Sequence, residues 1–168
     1  MIQQTISPID GSVVVERPLA TAAQIDAALE RAARAFPAWR RTPLARRIEL
    51  LSRAVELFVA RRDVIAREIT LQMGRPIIHS PGEVNGFAER ARRMLELAPS
   101  ALADVDPGPK PGFQRWIRRE PLGLVFVLAP WNYPYLTAVN AIWPALVAGN
   151  VVLLKHSAQT PLCAERLQ

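Results

Sequence analysis

The sequence predicts an α/β protein in which a mainly helical first part leads into the opening strands of a parallel sheet. Three observations carry that reading. Residues 124–128 and 151–154 are unbroken apolar runs, as strands buried on both faces are, and an apolar segment of helix length separates them. Charge is scarce in the same region: from Pro121 to Gln168 the only charged side chains are Lys155, Glu165 and Arg166. Upstream, apolar residues recur at helical spacing through four charged segments, the pattern of surface helices with one face turned inward. A chain of 168 residues is long enough to bury roughly 68–70% of its unfolded surface, so neither metal nor disulfide is needed for a core.

The elements follow in order. Residues 2–19 alternate around the turn signal Asp10-Gly11, ahead of Val13, Val14 and Val15, which predicts a hairpin unable to stand alone. Thr21 and Gln24 form a capping box for a helix with the face Ile25, Leu29, Ala32 and Phe36, which Pro37 is expected to end. Thr42 and Pro43 open a second helix, with Leu44, Ile48, Leu51, Val55 and Phe58 on one stripe. A third runs over about 62–73 and stops where Gly74 can turn left-handed before Arg75-Pro76. The fourth has Ser80 as its N-cap, Pro81 at the first helical position and Glu83 as the reciprocal cap. Its inward stripe is Val84, Phe87, Ala91, Met94, Leu95 and Ala98. Four prolines and two glycines make 99–112 an extended loop, and the alternation of 113–118 predicts a strand that pairs outside the main core. The strand at 124–128, a helix over about 135–148, the stop Gly149-Asn150 and the strand at 151–154 then make a βαβ unit with a right-handed crossover, and Thr160-Pro161 starts a further helix.

Composition narrows the function. A single cysteine, Cys163, excludes an internal disulfide framework and fits a reducing compartment, and with two histidines it offers no metal-site spacing, so no metal is expected. The opening residues lack the basic stretch and apolar run of a secretory leader, which makes the cytoplasm the expected location. The net charge of +6 comes almost wholly from arginine, interspersed with acids at helical spacing and without aromatic interleaving. That pattern describes a solvated face, and nucleic-acid binding is not expected. The uncharged run is cut by Pro130, Asn132, Pro134, Asn140, Pro144 and Gly149, so a membrane span is not expected either.

Ligands of an open parallel sheet bind beyond the carboxyl ends of its strands, and those ends carry Asn132 and Lys155. An uncharged carboxamide stabilises oxygen charge developing at a carbonyl without a proton transfer, which suits Asn132 to an oxyanion; it can equally cap its own turn. Lys155 suits a ribose or phosphate, or a solvent-facing strand end.

The motifs Glu120-Pro121-Leu122-Gly123, Pro130-Trp131-Asn132-Tyr133-Pro134, Trp143-Pro144-Ala145-Leu146, Gly149-Asn150, Lys155-His156-Ser157 and Gln159-Thr160-Pro161 together resemble the NAD(P)-dependent aldehyde dehydrogenase superfamily. Phe36-Pro37-Ala38-Trp39 and Met73-Gly74-Arg75-Pro76 extend the resemblance over nearly the whole chain. It implies a Rossmann-like cofactor domain, NAD or NADP as cofactor, and oxidation of an aldehyde to a carboxylate. By the same resemblance Asn132 helps to stabilise the thiohemiacetal oxyanion, and Leu128, Pro130 and Trp131 line the nicotinamide side. Lys155 contacts the adenosine ribose, with Ser157 beside it. His156 stands where the family usually has proline. Ala158 stands where a glutamate often holds the ribose hydroxyls in NAD-preferring members, so the choice between NAD and NADP stays open. The family's cysteine nucleophile and glutamate base both belong far downstream of these motifs. Cys163 lies at a helix start, a setting that can lower a thiol pKa, but it does not match that nucleophile and no catalytic role is expected of it; the chain has no GxGxxG fingerprint.

The expected organisation is a hairpin and helical part over 1–112, a strand resembling the family's oligomerisation sheet over 113–123, and the first part of an incomplete Rossmann-like sheet over 124–168, with the catalytic domain absent. The expected function is that of an amino-terminal portion of an NAD(P)-dependent aldehyde dehydrogenase, inactive alone and meeting an aldehyde substrate only when a downstream part completes it. The alternative is a non-catalytic interaction fragment, pairing with a complementary or identical chain, or a truncated gene remnant.

Overall fold

A computed structural model describes all residues, 1–168. Strands β1 (Ile2–Ile6) and β2 (Val13–Pro18) pair antiparallel as the predicted hairpin, with Gly11 at φ +75° in the turn. Ser12 donates to the Asp10 carboxylate through its N–H (3.1 Å) and its hydroxyl (2.7 Å), and these bonds hold Asp10 below the usual carboxylate range. A two-stranded ribbon is marginal in water, and this one is docked. Thr5 Oγ1, buried, donates to the Ala158 carbonyl at 3.0 Å, and Arg17 forks onto Glu165 at 2.7 and 2.9 Å.

Helix α1 (Ala22–Arg41) opens with the predicted Thr21/Gln24 capping box, but it runs through Pro37 rather than ending there. Proline at that position removes one backbone bond, and the last turn is held from outside instead: Trp39 Nε1 donates to the Leu146 carbonyl at 2.9 Å. Helix α2 (Leu44–Val59) buries Leu51, Val55 and Phe58, and α3 (Arg62–Met73) stops at Gly74, φ +76°, as its sequence predicts. A Cβ on Gly74 would sit 2.9 Å from Pro8 Cγ, so both the turn and the contact demand glycine.

Helix α4 (Pro81–Ala101) corrects two expectations. Ser80 has helical dihedrals and caps no amide; its hydroxyl pairs with Thr70 Oγ1 at 2.8 Å. Glu83 does not reach back to that turn but points into the interior, where its side chain is fully buried. The helix also continues through Pro99, so the loop begins later than its prolines suggest.

Residues 103–123 form no strand. The predicted strand at 113–118 is reduced to isolated bridges, Val105 with Ile117 and Lys110 with Phe113, because no neighbouring strand in the chain offers a ladder. Strand β3 (Leu124–Ala129), helix α5 (Pro134–Val147) and strand β4 (Val151–His156) form the predicted βαβ unit, the strands parallel from Leu124 opposite Val151 to Ala129 opposite His156. A short helix α6 (Leu162–Glu165) follows. The expectation that both faces of the sheet are buried holds for one face only. Val127 and Ala129 are buried, while Phe126 is 58% and Leu128 68% exposed. On that second face α1 leans mainly over β4, leaving an apolar cavity of about 550 Å³ bordered by Ile25, Leu29, Phe126 and Leu153.

The core lies between α2, α3, α4 and α5. Phe87 packs tilted against Phe58 (centroids 4.2 Å) and edge-on to Trp143 (4.8 Å), with Tyr135 4.9 Å from Phe58. Helix α5 is almost wholly apolar and lacks a side-chain N-cap; its last carbonyls accept the N–H groups of Ala148, Gly149 and Asn150 and further donors from side chains. Trp39 takes Leu146 O, Arg47 Nε takes Val147 O at 2.9 Å, and Asn150 Nδ2 takes Ala145 O at 3.1 Å. Asn150 Oδ1 also accepts the Gly123 N–H at 3.0 Å, which ties the entry of β3 to the exit of α5. No helix is long and apolar enough to cross a membrane.

Candidate functional site

The carboxyl ends of β3 and β4 bring the predicted residues together. Leu128 and Lys155 are direct register partners, so the two exposed side chains share one face at the mouth of the sheet. The chain leaves β3 through half-buried Pro130 and exposed Trp131 and Asn132, and it leaves β4 through half-buried Ser157. The Ser157 hydroxyl accepts the Gln159 N–H at 3.2 Å and so shapes its own turn. Neither oxygen nor nitrogen of the Asn132 carboxamide has a partner in the protein; only its backbone carbonyl is engaged.

That engagement comes from residues whose part in the site the sequence does not disclose. Arg75, just beyond the left-handed Gly74, donates through Nη2 to Asn132 O at 2.6 Å and through Nη1 to Glu83 Oε1 at 3.0 Å, and lies 4.8 Å from the Tyr133 ring centroid. Glu83 Oε2 accepts the Leu136 N–H at 3.1 Å, so a carboxylate of α4 caps the first turn of α5, where the helix dipole favours negative charge. Burial pushes the Glu83 carboxyl above the usual range, while the Leu136 N–H and Arg75 pull the other way. A basic residue after the glycine that ends α3, with an acid eight positions on, is the only sequence signal for this pair, and local pattern reads the acid as a cap.

His156 is the last residue of β4. It is buried, its Nδ1 accepts the Ser157 N–H at 2.9 Å, and Nε2–H therefore donates to Pro134 O at 3.2 Å. Burial lowers its pKa, so the ring is neutral and ties the end of β4 to the start of α5. Cys163 is wholly buried, and burial pushes the thiol up to about 12, the opposite of the lowering that a helix start can produce.

A parallel βαβ unit with an amide, a cation and aromatic surface beyond its strand ends defines the class of α/β proteins that bind a ligand at that edge. The model of the aldehyde dehydrogenase family matches residues 2–168, and the chain belongs to that family. It is 37% identical over 164 residues to the succinate-semialdehyde dehydrogenase (NADP(+)) of Deinococcus radiodurans, covering 98% of this chain and 34% of that protein. Among solved structures, an NAD-dependent benzaldehyde dehydrogenase from Corynebacterium glutamicum superposes with a TM-score of 0.90 at 29% identity, covering 99% of this chain and 38% of that one. Succinic semialdehyde dehydrogenase from Streptococcus pyogenes, solved with NADP+ as the cofactor, gives 0.89 at 27% identity, covering 97% and 36%. The chain thus spans about a third of the length of the curated relatives it matches.

Proposed function

We propose that these residues form the first part of an NAD(P)-dependent aldehyde dehydrogenase, with Asn132 as the neutral donor to the oxyanion. In this reading Leu128, Pro130 and Trp131 line the nicotinamide side, and Lys155 and Ser157 lie along the adenosine ribose. The observation that carries it is the register pairing of Leu128 with Lys155, which sets both halves of the motif on one face at the strand ends. The fit to a dinucleotide is partial. An exposed cation and an apolar platform suit ribose and nicotinamide, whereas α6 has four residues and Gly-rich backbone for a pyrophosphate is missing from these 168 residues. When bound, NAD(P) supplies the hydride acceptor; this chain's residues orient it and stabilise the developing oxyanion charge. Ala158 supplies no carboxylate, which removes both an acceptor for ribose hydroxyls and a repulsion toward a 2′-phosphate, so this position does not select between NAD and NADP.

The test replaces the matching third of the Deinococcus radiodurans relative with residues 1–168 and follows aldehyde-dependent reduction of NAD and of NADP. Activity in the chimera that Asn132→Ala lowers by about 10²–10³ in kcat supports the reading. An active chimera indifferent to Asn132→Ala overturns the donor role. A second reading, pairing with an identical or complementary chain, draws on the exposed apolar surface at 113–117, where Phe113 is 65% and Ile117 59% exposed.

A further inference from the structure

We infer that Arg75 and Glu83 are a positioning pair that sets the direction of the Asn132 carboxamide, acting from behind the turn through its backbone carbonyl. The inference rests on the reading of Asn132 as a donor, and it adds residues that lie outside the motif itself. Four contacts converge on the five residues from Asn132 to Leu136: Arg75 Nη2 on Asn132 O, the Arg75 guanidinium against Tyr133, Glu83 Oε2 on the Leu136 N–H, and the His156 ring on Pro134 O. The first three come from one ion pair. Its acid is fully buried and its guanidinium nearly so, at 0% and 15% side-chain exposure. The Asn132 carboxamide itself is exposed and makes no hydrogen bond within the protein. A side chain left free while its own peptide is held by a charge-assisted bond of 2.6 Å is arranged to meet an incoming group without reorganising, which is the requirement for an oxyanion donor.

Arginine is specifically required by this geometry. Its planar fork reaches Glu83 with one nitrogen and Asn132 O with the other, whereas a lysine ammonium keeps the charge and the ion pair but cannot reproduce both directed bonds together with the stacking on Tyr133.

The chain has four asparagines, Asn85, Asn132, Asn140 and Asn150, so selective ¹⁵N-asparagine labelling of the intact chain reports the site and three internal controls in one spectrum. Arg75→Lys is expected to shift the backbone and carboxamide signals of Asn132 while Asn85, Asn140 and Asn150 stay in place. Glu83→Gln, which keeps an acceptor for the Leu136 N–H but removes the charge that holds the guanidinium, is expected to shift Asn132 in the same direction. Two results overturn the proposal: Asn132 signals unchanged in both folded variants, or equal shifts at Asn140 and Asn150. Equal shifts would mean that the pair merely docks α5. Because the spectrum reads no activity, an inactive chimera would defeat the enzymatic reading and leave this measurement to decide the positioning role by itself.

Discussion

His156 shows how one side chain can tie two elements and set a pH response. In the unfolded chain its imidazole takes up a proton near pH 6.5, but in the fold desolvation, with the Lys155 charge adding to it, keeps the ring neutral to a lower pH. Between those values only the unfolded state binds the proton, so the stabilisation is full above about pH 6.5 and declines as the pH falls below it. Urea midpoints at pH 7.5 and 5.5 should therefore drop on acidification in the wild type, with a smaller drop in His156→Gln. Cys163 gives a second prediction at this scale. With the thiol buried and pushed up to about 12, a thiol reagent at pH 8 should react with it only as fast as the chain unfolds, and rapid labelling of the native protein would contradict the packing. Leu128 and Lys155 are register partners at the strand ends, and Asn132 follows four residues after Leu128. The residues behind them, Arg75, Glu83 and His156, were not legible as part of the site, because each acts across 22 to 57 positions of chain and no local pattern encodes that distance.

At the scale of elements, helices α2 and α3 and the βαβ unit were legible because each is written in a local period: apolar stripes at 3.6, continuous runs for the strands, glycine at the exits. The misreadings fall where tertiary partners outvote local rules. Pro37 does not stop α1 because Trp39 anchors the last turn to α5. Ser80 does not cap α4 because its hydroxyl has a partner on α3. Residues 113–118 carry a strand's alternation without a strand to pair with. The packing between these elements predicts its own hot position. Phe87, fully buried and in ring contact with Phe58, Tyr135 and Trp143, should cost about 3–5 kcal/mol of unfolding free energy when changed to alanine, measured by denaturant titration. Gly74→Ala should destabilise by at least about 1 kcal/mol, since it forces a left-handed backbone and presses a methyl group on Pro8.

For the whole molecule, the sheet is the incomplete part. Two parallel strands with Phe126 and Leu128 uncovered on one face, and unpaired edges on both sides, favour self-association. Light scattering of the purified chain should show concentration-dependent growth in mass, and a strictly monomeric, cooperatively unfolding sample at high concentration would contradict this. With its one thiol buried, attack by a thiolate is closed to this chain, which alone should give no aldehyde-dependent NAD(P)H. The borrowed caps of α5 carry a last consequence, which concerns synthesis. Trp39, Arg47, Arg75 and Glu83 all precede the helix they terminate or orient, and Asn150 and His156 follow it by a few residues only. As the chain leaves the ribosome amino end first, the partners for both ends of α5 are already made when its apolar turns emerge, so this helix has a prepared cradle and the strand after it closes the lock.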